Sequence, residues 1–185
     1  MIDRIPAHIL NDLVQYMNTS DSNNTITLAH TTQQWFDRHP ELTMPRPQRL
    51  YRGLYFVNTN GNHIGKQIVD AQPIHSEFRM STTRCTSWTS ILGVAKRYAL
   101  NSKELLFSKM KKEYLQHYNK EADPIGIVIS SQFHPHDVVC DINRIVRKYA
   151  LTTQYGQEWE CVVKSRNNIT VRLEAVYTHD TISAL

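Results

Sequence analysis

The sequence predicts an α+β protein with an N-terminal helical segment and a mostly β core, on three observations. Ile5, Ile9, Leu10, Leu13 and Met17 recur at helical spacing. Met44-Pro45-Arg46-Pro47 then closes the helical part, because proline disfavours helix at itself and at the residue before it. Beyond it the apolar residues fall into short runs rich in β-branched and aromatic side chains. At 185 residues and 21.5 kDa a single domain over residues 1–185 is the simplest organisation, with 1–45 as the helical lead-in and 46–178 as the core.

Taken in order, a first helix covers the residues around Ile5 to Met17. A second is expected over Leu28 to Arg38, after the polar break Thr19 to Thr25. Strands are expected at Arg49 to Val57, Phe78 to Trp88, Pro124 to Ser131, Asp137 to Ile142, Glu158 to Val163 and Ile169 to Tyr177. Two helices interrupt them. Ser90 to Ala99 places Ile91, Val94, Ala95 and Tyr98 on one face with Thr89 or Ser90 as N-cap. Ser102 to Tyr118 carries the stripe Leu106, Met110, Tyr114 and His117, as a lid over a cleft or as a solvated surface helix. Asn167-Asn168 suits a turn between the last two strands.

Composition narrows the function classes. The net charge of +4 is unevenly spread: residues 1–45 carry two basic and five acidic side chains, whereas residues 46–100 carry eight basic and two acidic ones. Such a local excess favours a phosphate-bearing ligand or nucleic acid, and a solvated basic surface would read the same way. Cys85, Cys140 and Cys161 are odd in number and outside any C-x-x-C spacing, which suggests neither a disulfide framework nor a zinc site. His134-Pro135-His136-Asp137 has no third ligand at a recognisable spacing, so an exposed turn is expected and no metal is proposed. With no signal peptide or membrane span legible, the expected location is the cytoplasm of the producing or a host cell.

Three motifs carry chemistry. In Leu50-Tyr51-Arg52-Gly53-Leu54 an arginine interrupts an apolar strand; a diphosphate or a structural carboxylate would satisfy it, and Gly53 would let a ligand approach the backbone. Thr86-Ser87-Trp88-Thr89-Ser90 runs into a helix, with Ser87 and Thr89 on one strand face and Trp88 on the other; capping alone would also explain it. Finally, Gln157-Glu158-Trp159-Glu160 precedes the apolar Cys161-Val162-Val163. On an extended strand the two carboxylates share a face with Cβ atoms roughly 7 Å apart. A solvated strand edge would carry the same pair.

An Arg-Gly strand, a Ser-x-Thr strand feeding Val94-Ala95-Lys96-Arg97-Tyr98-Ala99, and a late Glu-x-Glu strand, in that order, resemble the Arg-Ser-Glu class of mono-ADP-ribosyltransferases, arginine-specific type, including phage-encoded or bacterial effectors. The likeness covers residues 46–178; Trp88 departs from the usual small residue. It implies a mixed β-sandwich core and NAD as the substrate, with no metal. Arg52 would hold the NAD phosphates, Gly53 would lie beside the nicotinamide, and Ser87 and Thr89 would complete the NAD site, Ser87 placing Arg52 and the catalytic glutamate. Glu160 would be catalytic, Glu158 would act on the acceptor, and Tyr155 in the loop 149–157 would contact it. A register shifted by two would make Glu158 catalytic instead.

The implied activity is transfer of ADP-ribose to arginine side chains of target proteins, with release of nicotinamide. NAD glycohydrolysis, modification of a nucleic-acid acceptor, and a non-catalytic phosphate-binding or nucleic-acid-binding module are the competing readings.

Overall fold

The computed structural model describes residues 4–18, 28–57, 64–151 and 158–185. In chain order the helices are α1 (Ala7–Asn18), α2 (His30–Asp37), α3 (Ile64–Ala71), α4 (Leu92–Ala99), α5 (Phe107–His117), α6 (Ile142–Tyr149) and α7 (His179–Ala184). The strands are β1 (Gln48–Val57), β2 (Glu77–Thr82), β3 (Thr86–Thr89), β4 (Pro124–Phe133), β5 (Val138–Asp141), β6 (Glu160–Val163) and β7 (Arg166–Thr178). This is the α+β class that the sequence predicts. Helix makes up 43% of the described residues against 32% strand.

The chain divides into two compact units. The first gathers Met1–Gln48, Thr82–Ser87 and Phe133–Asn167, and the second gathers Arg49–Ser81, Trp88–Gln132 and Asn168–Leu185. The N-terminal helices are therefore not an appendage. In the first unit Ile9, Leu13 and Tyr16 of α1 and Phe36 of α2 pack in one cluster with Cys85, Val139, Cys140, Ile142, Ile145 and Val162. Each of these side chains is at most 7% exposed, and burying one of this size contributes on the order of 1.5–3 kcal/mol. The inward face of α1 is set by Ile9, Leu13 and Tyr16 at i, i+4 and i+7; Met17 lies at its margin.

In the second unit β4 pairs antiparallel with β7 from Ile125↔Thr178 to Ser130↔Arg172, with a bulge between Val128 and Ile129. The strand order there is β2-β7-β4-β1, and β1 is followed by β3, with Tyr51 opposite Thr89. In the first unit β3 is followed by β6 and β5, and the β5–β6 ladder places Asp141 opposite Cys161. The seven strands thus share one hydrogen-bonded order, and the pairs with a defined register are antiparallel.

Several boundaries differ from the sequence expectation. The run Phe78–Trp88 splits into β2 and β3, because Thr83 to Cys85 leave the ladder. Asn167 and Asn168 lie inside β7 and make no turn; Lys164 and Ser165 form the connection. Helix α4 begins one residue after Ile91, which occupies its N-cap without a side-chain hydrogen bond. Neither Thr89 nor Ser90 caps it. Three helices, α3, α6 and α7, have no counterpart in the sequence expectation. Of these, α6 is capped by Asp141, whose carboxylate accepts from Asn143 N at 3.0 Å and Arg144 N at 3.3 Å. Its buried residues Ile142 and Ile145 keep helical spacing.

Candidate functional site

Strand β3 carries two of the expected site residues and its ends belong to different units: Ser87 to the first and Thr89 to the second. In the first unit Ser87 and Glu160 stand on neighbouring strands, β3 and β6. Ser87 Oγ is 3.2 Å from the hydroxyl of Tyr16, which is itself only 3% exposed. A buried phenol must find a partner, so this hydrogen bond fixes the serine against α1. Nothing in the sequence singles out Tyr16, because Met17 beside it completes the apolar stripe equally well.

Glu160 opens β6 and is half-buried; the next three residues, Cys161 to Val163, are buried. The buried run after Glu160 is the one the sequence expects, but the strand starts two residues later than the expected Glu158. Glu158 is different. Strand β6 begins only at Glu160, and Trp159 between the two carboxylates has φ 49°. A left-handed backbone at a bulky residue is a steric outlier, and it breaks the alternation that would put Glu158 and Glu160 on one extended face. The same-face argument for the pair therefore fails. Trp159 is 39% exposed, and the guanidinium of Arg147, on α6, lies 4.9 Å from its ring centroid. Tyr155 and Gln157 lie outside the described residues.

The thiols near this strand are structural. Cys85, Cys140 and Cys161 are all buried and form no disulfide with one another. Burial pushes the Cys140 thiol well above its ordinary value, and the Cys161 thiol is raised for the same reason. Neither is a nucleophile at neutral pH.

In the second unit Arg52 and Gly53 lie on β1, half-buried. Helix α4 determines which way each points. A Cβ on Gly53 would sit 1.9 Å from Ala95 O and 2.6 Å from Ala99 N, and one on Gly126 of β4 would sit 2.0 Å from Ala99 O. These two glycines let α4 lie directly on the sheet, with Ala95 and Ala99 fully buried. The glycine at 53 is thus required by helix packing, and the face where its Cβ would project is filled by protein. The expectation of a ligand approaching on that face is corrected. Tyr51 and Tyr55 share this side, packed against the cluster that holds Ala95, Ala99, Leu100 and Tyr114.

Strand alternation then puts Arg52 on the opposite face from Tyr51 and Gly53. Thr89, directly across from Tyr51, belongs to the α4 side; it is 6% exposed and its Oγ1 accepts from Ile91 N at 3.1 Å. Thr89 does not share a face with Arg52, and Ser87, two residues back on β3, lies on the Thr89 side, so the same geometry weakens the place of both beside Arg52 in an NAD site. The buried Trp88, at 1% exposure, is a core residue.

Helix α5 is anchored by Met110 and Tyr114, which are buried in the second unit's cluster, and the Tyr114 hydroxyl donates to Pro124 O at 2.9 Å. That attachment suits a fixed helix better than a lid. The segment His134 to Asp137 is a turn, but not an exposed one throughout: Asp137 is 4% exposed, accepts from His134 N at 2.9 Å and pairs with Arg166 Nη1 at 2.9 Å. Its carboxylate is a structural anchor between the turn and the start of β7. Among the described residues no group of three or more His, Cys, Asp or Glu side chains is placed to hold a metal ion, and no helix is long and apolar enough to cross a membrane.

Comparison with protein-family models, curated proteins and solved structures gives no match to this chain.

Proposed function

We propose that this protein is a mono-ADP-ribosyltransferase that transfers ADP-ribose from NAD to arginine side chains of target proteins. The observation that supports this most lies within the first unit: β3, which carries Ser87, is the hydrogen-bonded neighbour of β6, which Glu160 opens. Two residues 73 positions apart in sequence thereby stand on adjacent strands.

The chemistry follows from the residue types. Breaking the bond between nicotinamide and C1′ of the ribose leaves positive charge on C1′, and a carboxylate held nearby stabilises it. Glu160 is the group suited to that position, since it opens a strand whose next residues are buried and its backbone is therefore fixed. Arg52 would hold the diphosphate by charge-assisted hydrogen bonds, and Ser87, secured by Tyr16, would orient the site. The guanidine nitrogen of the acceptor then bonds to C1′ and loses a proton, with Glu158 as the base.

The test is incubation of the protein with labelled NAD and a whole-cell lysate, followed by mass spectrometry of labelled residues. Label on arginine that disappears with Glu160→Gln supports the proposal. Label released by nuclease, or free ADP-ribose with no labelled protein, replaces it with a nucleic-acid modifier or a glycohydrolase respectively.

A further inference from the structure

We propose that the indole face of Trp159 under Arg147 is a guanidinium seat on the acceptor side of the site, occupied in the free protein by the chain's own Arg147, which competes there with an incoming arginine. The inference rests on the reading above that the acceptor is an arginine. It also adds a residue that neither the Glu-x-Glu motif nor the 149–157 loop assigns.

Three observations, all within the first unit, carry it. Trp159 stands between Glu158 and Glu160, and its indole is 39% exposed, as Phe107 and Tyr98 also are to 39% and 40%, so a ring face is open to solvent. Its φ of 49° turns the ring out of strand alternation, and a bulky side chain keeps such a backbone only where its surroundings or its task hold it there. Lastly, the ring already binds a guanidinium: Arg147 Cζ is 4.9 Å from its centroid. The basic neighbours of Arg147 are otherwise engaged, Lys148 with Glu41 at 2.8 Å and Arg144 with Asp141 at 3.7 Å. Arg147 instead projects from the exposed side of α6 onto the indole.

A planar, weakly hydrated guanidinium stacks on an indole better than a compact ammonium does, and flanking carboxylates add attraction for either cation. The seat therefore selects arginine over lysine by shape and over neutral side chains by charge. Because one ring face takes one guanidinium, an acceptor that lands on the face Arg147 covers must displace it.

The experiment follows the indole N–H signal of Trp159 by NMR, identified by its loss in Trp159→Phe, while N-acetyl-arginine amide is added without NAD. The signal moves in the wild-type chain, moves at about two- to five-fold lower concentration in Arg147→Ala, the factor an exposed cation–π contact is worth, and moves less with N-acetyl-lysine amide. A signal that arginine amide leaves still in both proteins overturns the proposal, as does a midpoint that Arg147→Ala leaves unchanged or raises. Nicotinamide release from NAD, measured on the same samples, separates the two claims. A responding indole without NAD cleavage supports the seat and removes the catalytic reading; cleavage and transfer with an unresponsive indole does the reverse.

Discussion

Substitution of Gly53 by alanine tests whether helix packing or a ligand requires that glycine. The added Cβ would lie 1.9 Å from Ala95 O, and ordinary contact begins at 3.4 Å, so strand and helix must separate by at least 3.4 − 1.9 = 1.5 Å. Both nearest atoms are backbone, which has no rotamer to swing aside. The separation would loosen Ala95, Ala99 and Leu100 from Met110, Tyr114 and Val128 in one step. Overpacking of a core typically costs about 1–3 kcal/mol, and the rigid partner places this case at about 3 kcal/mol. For a chain of this length that is a fall in Tm of about 6–12 °C. Urea denaturation and thermal melting of Gly53→Ala measure it, and Gly126→Ala, whose Cβ would meet Ala99 O at 2.0 Å, should fall by a similar amount. A Gly53→Ala protein that melts with the wild type and loses only NAD affinity would refute the packing argument and restore the ligand one.

Three other outcomes follow from the same geometry. Ala150 closes α6 in the left-handed region at φ 49°, where an alanine costs about 1 kcal/mol relative to glycine; Ala150→Gly should raise Tm by about 2–4 °C in thermal melting. The raised thiols of Cys140 and Cys161 keep their protons in the folded chain while the unfolded chain releases them above pH about 8.5. Their contribution is whole below that pH, and stability then declines by about 1.4 kcal/mol per pH unit for each thiol, visible as falling urea midpoints between pH 8 and 10 that Cys140→Ala makes shallower. Glu158→Gln should retain nicotinamide release into water and lose transfer to arginine, read by parallel assays of the two products; loss of both would move the catalytic role to Glu158.

Much of the fold is legible in the sequence because periodicity reports burial. The strands at 49–57, 124–131 and 169–177 and the helices at 28–38 and 90–99 fall within a few residues of their expected places, since each buries one continuous face. Helix α6 does not show itself, because its eight residues follow directly on β5 and its polar side, with Asn143, Arg144, Arg147 and Lys148, reads as loop. Asp141 as N-cap is the available signal. In the candidate site, strand order is not legible: nothing in the sequence says that β3 lies beside β6. Gly53 misleads because a glycine that admits a helix and one that admits a ligand look identical in sequence. Trp159 misleads because alternation assumes extended backbone, and a left-handed residue at a strand entrance leaves no mark of its own.

The most direct test of the proposed activity compares purified wild-type protein with Glu160→Gln in labelled NAD and lysate, with residue-level mass spectrometry of the products. Glu160→Gln should lower both nicotinamide release and arginine labelling by a factor on the order of 100 or more, because the carboxylate acts where charge develops. Equal labelling by the two proteins, or no NAD cleavage by the wild type, would contradict it.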